Sequence, residues 1–170
     1  MKSYWQCVGG GCPDAGGPSW LLFFEDQRYL FNCGEGLQRA CGEHHLKWSR
    51  ISTIFLTKLD WECMGGLPGL ICTMADALNE QLGEGDEMPV PKLRIVGPPN
   101  TAHVLAAMRP FLHRSNFALE VIECTQNGQL CHYDHNLTVT AHFQKADDQE
   151  AEVAAKRPRL SSLSPAQVLT

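Results

Sequence analysis

Residues 55–70 read FLTKLDWECMGGLPGL, and this stretch decides the fold. Just before it, ISTIFL is dominated by β-branched and aromatic residues and closes on a polar turn, the pattern of a buried strand. Just after it, from Gly65 to Gln81, the apolar residues Leu67, Leu70, Ile71, Met74, Ala75 and Leu78 recur at helical spacing. Pro68 is tolerated because it falls in the first turn, where its missing N–H is not needed. The segment is therefore a strand, a sharp turn and an amphipathic helix.

Outward from it, further strands and helices follow, with no internal repeat. WLLFF and RYLFN, joined by the polar EDQR, predict a hairpin. LQRACGEHHLKW (37–48) predicts a short helix with Leu37, Ala40, Cys41, His44 and His45 near one face, weakened by Gly42. LGEGDEMPVP reads as a loop and KLRIV as a short buried strand. GPPN is a turn whose Asn100 caps the helix TAHVLAAMRPFLH, and Pro110 kinks or shortens that helix. FALEVIEC and LTVTAHF are two further strands. Strands and helices in this order place the chain in a mixed α/β class, α+β in some schemes. Residues 1–143 form one domain, whereas residues 144–170 are polar and small and predict a disordered linker or tail.

Composition sets limits on function. With 170 residues and 44% apolar content, one domain with a buried core is expected. A formal charge of -5 gives the chain as a whole no electrostatic pull toward phosphate backbones, so any nucleic-acid contact must be local. No apolar run approaches the roughly 18 residues of a membrane span, which predicts a soluble protein with no membrane partner. The eight cysteines include no CxxC pair and follow no secretory peptide, which points to a reduced intracellular compartment. MKSYWQC lacks the Arg-rich amphipathic character of a mitochondrial presequence. GGGCPDAGGP has the glycines of a phosphate-cradling loop without the GK[ST] ending, and reads as a loop between strands.

The turn after ISTIFL lies where one large class of metal-dependent hydrolases carries T-H-x-H-x-D-H. Alternate residues of an extended segment point the same way, so histidines two apart converge on one ion while the aspartate and last histidine reach a second. Aligning Thr57 with the motif's threonine puts Lys58 and Asp60 at the two histidine positions, Glu62 at the aspartate and Cys63 at the final histidine. An ammonium at Lys58 repels the ion whose ligand it replaces, and a thiolate with carboxylates beside it makes a poor dinuclear site. No metal is expected in this chain. Gly34 and Gly36 flank Glu35 where a strand turns into a helix, and Gly65 and Gly66 admit the backbone tightly to the next helix; all are read as structural turns.

YLFNCGEGLQR (29–39), IFLTKLDWECMGGLPGL (54–70) and VGPPN (96–100) occur in an order and at spacings that resemble the amino-terminal half of the long form of tRNase Z. That family consists of metallo-β-lactamase-fold endonucleases trimming the 3′ ends of precursor tRNAs. The resemblance implies a partial αββα sandwich over roughly residues 4–143 and a chain whose amino half has lost its ligands while a carboxyl half keeps them. It also implies zinc-dependent phosphodiester cleavage in that carboxyl half, no catalytic residue in this chain, precursor tRNA and the carboxyl half as partners, and a nuclear or mitochondrial location. A sandwich of this kind needs on the order of 200 residues, so an uncovered apolar sheet face is expected here.

Other clusters have plainer readings. CHYDH (131–135) gathers Cys131, His132, Asp134 and His135 at a spacing that matches no standard zinc frame, and reads as a polar turn. Lys47, Arg50 and Lys58 form a basic run available as a rim for RNA or as a solvated surface. KRPRL (156–160) resembles a basic nuclear-import signal. Two competing functions stand beside the tRNase Z reading: a non-enzymatic protein- or RNA-binding module on a dead hydrolase fold, and a divergent metallohydrolase using Asp60, Glu62, Cys63 and the CHYDH histidines.

Overall fold

The computed structural model describes residues 3–8, 19–81, 92–112 and 117–144. The GGGCPDAGGP loop, the LGEGDEMPVP loop, the tail and its KRPRL run lie outside these residues.

Six strands form one sheet in sequence order: β1 (Tyr4–Cys7), β2 (Trp20–Phe23), β3 (Arg28–Phe31), β4 (Ile51–Phe55), β5 (Lys92–Gly97) and β6 (Ala118–Glu123). The first three are antiparallel, and β3 to β6 run parallel. Parallel neighbours need crossovers. These are α1 (Leu37–Glu43), the short α2 (Trp61–Met64) followed by α3 (Leu67–Gln81), and α4 (Thr101–Met108). Because each successive strand is added on the same side and such crossovers are right-handed, all the helices land on one face.

Strand alternation sorts side chains between two cores. Leu21, Leu30, Ile54, Leu93 and Ile95 face the helices, packing with Leu37, Cys41, Leu67, Leu70, Ile71, Met74 and Leu105. Leu22, Tyr29, Phe55 and Val96 face the other way, onto a second sheet made of β7 (Gln129–Tyr133) and β8 (Thr138–Ala141). No described helix contributes to this second core. The described residues thus supply a helical layer and two sheets, and the second sheet has two strands against six. Beyond its reach the sheet face is bare: Trp5 and Trp20, paired with Leu22 and Phe31, are 55% and 43% exposed. A single sheet with an uncovered face was expected; instead β7 and β8 cover part of it, and the exposed indoles lie beyond them.

A polar lock joins the two sheets. The buried Tyr29 donates its hydroxyl to Asp134 Oδ2 at 2.6 Å, and the same oxygen meets His132 Nε2 at 2.6 Å. Arg94 stands 3.3 Å from His132 Nδ1 and 2.9 Å from Glu120. Since a guanidinium only donates, His132 accepts through Nδ1 and donates through Nε2 to the carboxylate. Although partial burial opposes ionisation, hydrogen bonds from Tyr29, His132 and the backbone of Asn136 and Leu137 win and bring the Asp134 carboxyl down to about 2.

Four local expectations are corrected. The helix at 37–48 ends at Glu43: His45 takes a positive φ of 52° and Leu46 N–H returns to the Cys41 carbonyl, while His44 and His45, of which at least one was expected at the surface, are both exposed. Asn100 occupies the cap position of α4 in a left-handed conformation without a side-chain cap bond; Glu123 Oε1 accepts from Ala102 N–H instead, at 2.8 Å. CHYDH is not a polar turn, because its first three residues belong to β7, where a register shift beside Cys131 buries both Cys131 and His132. Cys124 and Cys131, expected as thiols, are joined as a disulfide, since the β6–β7 connection folds them to a Cα separation of 6.4 Å.

Tyr29→Phe is expected to cost about 1.5–3 kcal/mol in urea denaturation, the size of a hydrogen bond to a charged acceptor. Because Asp134 titrates lower folded than its unfolded value of roughly 3.9, the stability it contributes is complete above about pH 5 and is lost as pH falls toward 2. A denaturation series across that window in the wild type and Asp134→Asn should show the difference between them shrinking as pH falls.

Candidate functional site

Parallel β3 and β4 end side by side, which places two turns, residues 32–36 and 57–66, at the same edge of the sheet. Asn32 opens the first turn with φ 59° and is nearly buried. This left-handed conformation turns its amide toward the neighbouring turn, where Oδ1 accepts from Thr57 N–H at 2.9 Å and from Thr57 Oγ1 at 3.0 Å. Cys33 N–H donates to the Cys63 carbonyl at 2.7 Å, and Gly66 N–H returns to the Cys33 carbonyl at 2.9 Å. The fully buried Ser19 accepts from Gly34 N–H through Oγ at 2.9 Å.

The glycines are explained by space. A Cβ on Gly66 would stand 2.1 Å from the Gly34 carbonyl oxygen, inside any permitted contact. At Gly65 a Cβ would meet the Trp61 carbonyl at 2.6 Å and the Trp61 ring. Gly36 has φ 78°, which starts α1 from a left-handed conformation. Glu35, between Gly34 and Gly36, accepts from Trp61 Nε1 at 2.7 Å and so ties the tips of the two turns together. The sequence pointed to the glycines and Glu35; it did not single out Asn32, Ser19 or Trp61. An asparagine at the end of a strand run, just ahead of CGEG, is the one signal that a left-handed residue was needed there.

The motif positions have taken other work. Asp60 caps α2, with Oδ1 accepting from Cys63 N–H at 2.9 Å. Burial first, and then the neighbouring Asp60 carboxylate, raise the Cys63 thiol above its ordinary value, which keeps it protonated. Thr57 Oγ1 lies 3.7 Å from its sulfur. Glu62 is exposed in the first turn of α2, and Lys58 is exposed beside Thr57. A protonated thiol, a capping carboxylate, a solvent-facing glutamate and an ammonium do not fit a zinc pair. Among the described residues no group of three or more His, Cys, Asp or Glu is placed to hold an ion.

The CHYDH residues are likewise committed elsewhere: Cys131 to Cys124, His132 to Asp134, and His135 to Asp26 at 2.9 Å. The basic run does not form one rim. Lys47 and Arg50 precede β4 and Lys58 follows it, so a five-residue strand of roughly 16 Å separates them.

Residues 6–66 match the family model described as tRNase Z endonuclease. The chain is 38% identical over 135 residues to "Ribonuclease Z, mitochondrial" of Drosophila melanogaster, covering 79% of this chain and 16% of that protein. It is 40% identical over 114 residues to a mitochondrial tRNase Z of Arabidopsis thaliana, covering 66% and 11%. With human "Zinc phosphodiesterase ELAC protein 2" the identity is 41% over 108 residues, covering 64% and 12%. The chain therefore spans between 11% and 16% of the length of these three relatives. Among solved structures, the short form of human tRNase Z superposes with a TM-score of 0.59 at 27% identity, covering 76% of this chain and 47% of that one. A metallo-β-lactamase-fold protein of Bacillus subtilis, at 12% identity and a TM-score of 0.55 over 80% of this chain and 54% of its own, shares the fold alone.

Gly66→Ala is expected to destabilise the chain by about 2–4 kcal/mol, because the clash is with backbone that cannot step aside. Asp60→Ala should cost only about 1 kcal/mol, the loss of one helix cap. Guanidinium melts of the two variants test that ranking.

Proposed function

Since the chain belongs to the tRNase Z family, we propose that it is the amino-terminal, non-catalytic part of a long-form tRNA 3′-end processing endoribonuclease. Its role is to support a zinc-dependent carboxyl half that cleaves the phosphodiester bond. The observation that carries this reading is the conversion of the metal turn into a folding device. Lys58 occupies a histidine position, Asp60 has become a helix cap, and Cys63 is a buried thiol whose carbonyl docks on Cys33. Hydrogen bonds to Asn32 and Asp60 and within the turn's own backbone hold its shape.

The bare sheet face supports a supporting role over a free-standing module. Trp5 and Trp20 expose indole surface that a self-sufficient domain tends to cover. Partners in this reading are the carboxyl half and precursor tRNA. Zinc belongs to that half. The relatives named as mitochondrial and the KRPRL run favour a mitochondrial or nuclear location. Among the described residues no helix is long and apolar enough to cross a membrane.

The test is cleavage of a 3′-extended precursor tRNA by the purified 170-residue chain with added Zn²⁺. No product above the buffer control is expected. Turnover that Asp60→Ala abolishes would overturn the assignment, because a helix cap does not govern chemistry.

A further inference from the structure

The Cys124–Cys131 pair sits where the two sheets meet. Cys124 follows the last residue of β6, in the six-stranded sheet, and its N–H bonds the Gly97 carbonyl at 2.8 Å. Cys131 lies at the register shift of β7, in the smaller sheet, so it has no directly opposed residue on β8 to hold it. The bond between them is therefore a covalent tie from one sheet to the other, across a sequence separation of 7. Both cysteines belong to the second core, and both line an apolar cleft of about 390 Å³ that also takes in Phe31, Phe55, Thr57 and Phe143.

We propose that this pair is a reversible redox clasp that sets how firmly the smaller sheet is held on the larger one. Two features of the site suit it to two states. The cleft gives a small disulfide a path to sulfurs that are otherwise 5% and 6% exposed as residues. In the dithiol state Cys131 has a ready acceptor, the Gln129 carbonyl 3.3 Å from its sulfur, so reduction leaves no stranded donor. The step is thiol–disulfide exchange: each sulfur gives up a proton, the pair gives up two electrons, and a low-molecular-weight disulfide such as oxidised glutathione takes them up and leaves as two thiols. Cys33, Cys41 and Cys63 do not line this cleft, and none is bonded to another described cysteine.

With the bond made, β7 and β8 are tethered through Cys131 as well as through the Tyr29–Asp134–His132 lock. Reduction leaves the polar lock and the apolar packing of the second core to hold them. The clasp is independent of the chain's assignment to tRNA processing, and its test uses no substrate.

The purified chain is equilibrated in glutathione buffers of graded ratio, quenched in acid, alkylated and mapped by mass spectrometry. Expected is an intramolecular Cys124–Cys131 bond in the oxidising buffers and alkylated thiols at both positions in the reducing ones. The oxidised form should melt roughly 5 °C or more higher, with at least about tenfold slower amide exchange across Gln129–Ala141. Cys124→Ala, Cys131→Ala and the double variant should all lose that redox dependence, each serving as a check on the others if one folds poorly. Glutathione adducts in place of the intramolecular bond would overturn the proposal. So would a bond whose formation leaves melting and exchange unchanged, or a redox-dependent shift that persists in the double variant.

Discussion

The docking of two backbone turns governs this molecule. Gly66 approaches the Gly34 carbonyl so closely that no side chain fits, and the amide of Asn32 holds Thr57 from the other side. Those contacts fix the ends of β3 and β4 relative to each other and set where α2 and α3 begin. From there the helix face follows, because Leu67, Leu70, Ile71 and Met74 can reach Leu30, Ile54 and Ile95 only if α3 starts at that point. The turn is tied by hydrogen bonds to Asn32 and Asp60 and among the backbone of Cys33, Cys63 and Gly66.

The chemistry of the replaced positions is consistent across them. Asp60 spends its oxygen on an orphan N–H of a short helix, a job that stabilises locally and asks nothing of a partner. Cys63 is buried and kept protonated, so it packs as a small apolar group. Lys58 points its charge to solvent. Each of these side chains is engaged within the turn or faces solvent. Together they leave the turn held by its own hydrogen bonds and packing.

On the other side of the sheet the balance differs. A two-stranded sheet covers only part of a six-stranded face, and an isolated hairpin is marginal in water. Here it is held by apolar contact with Phe55 and Val96, by a charged and hydrogen-bonded lock around Asp134, and by the Cys124–Cys131 link. The bare tryptophans at the β1 edge mark the limit of what this hairpin can protect. Stability is thus concentrated on the helical side, and the second layer depends on a few specific ties.

Local pattern was enough to place the WLLFF and RYLFN hairpin, the strands ISTIFL and KLRIV, and the helix after Gly65, because their side-chain periodicity records which face is buried. The residue types at 58, 60, 62 and 63 were equally legible, since they are a matter of identity at fixed spacing. What the chain could not reveal locally were relations between residues far apart in sequence. His132 looked like part of a polar turn until a register shift buried it against Tyr29, more than a hundred residues away. Asn32, Ser19 and Trp61 gained their roles only when two turns met, and Asn100 lost its expected cap bond to a glutamate on β6. Periodicity is a property of neighbours along the chain, whereas hydrogen bonds across turns and sheets exist only once strand order brings distant backbones together.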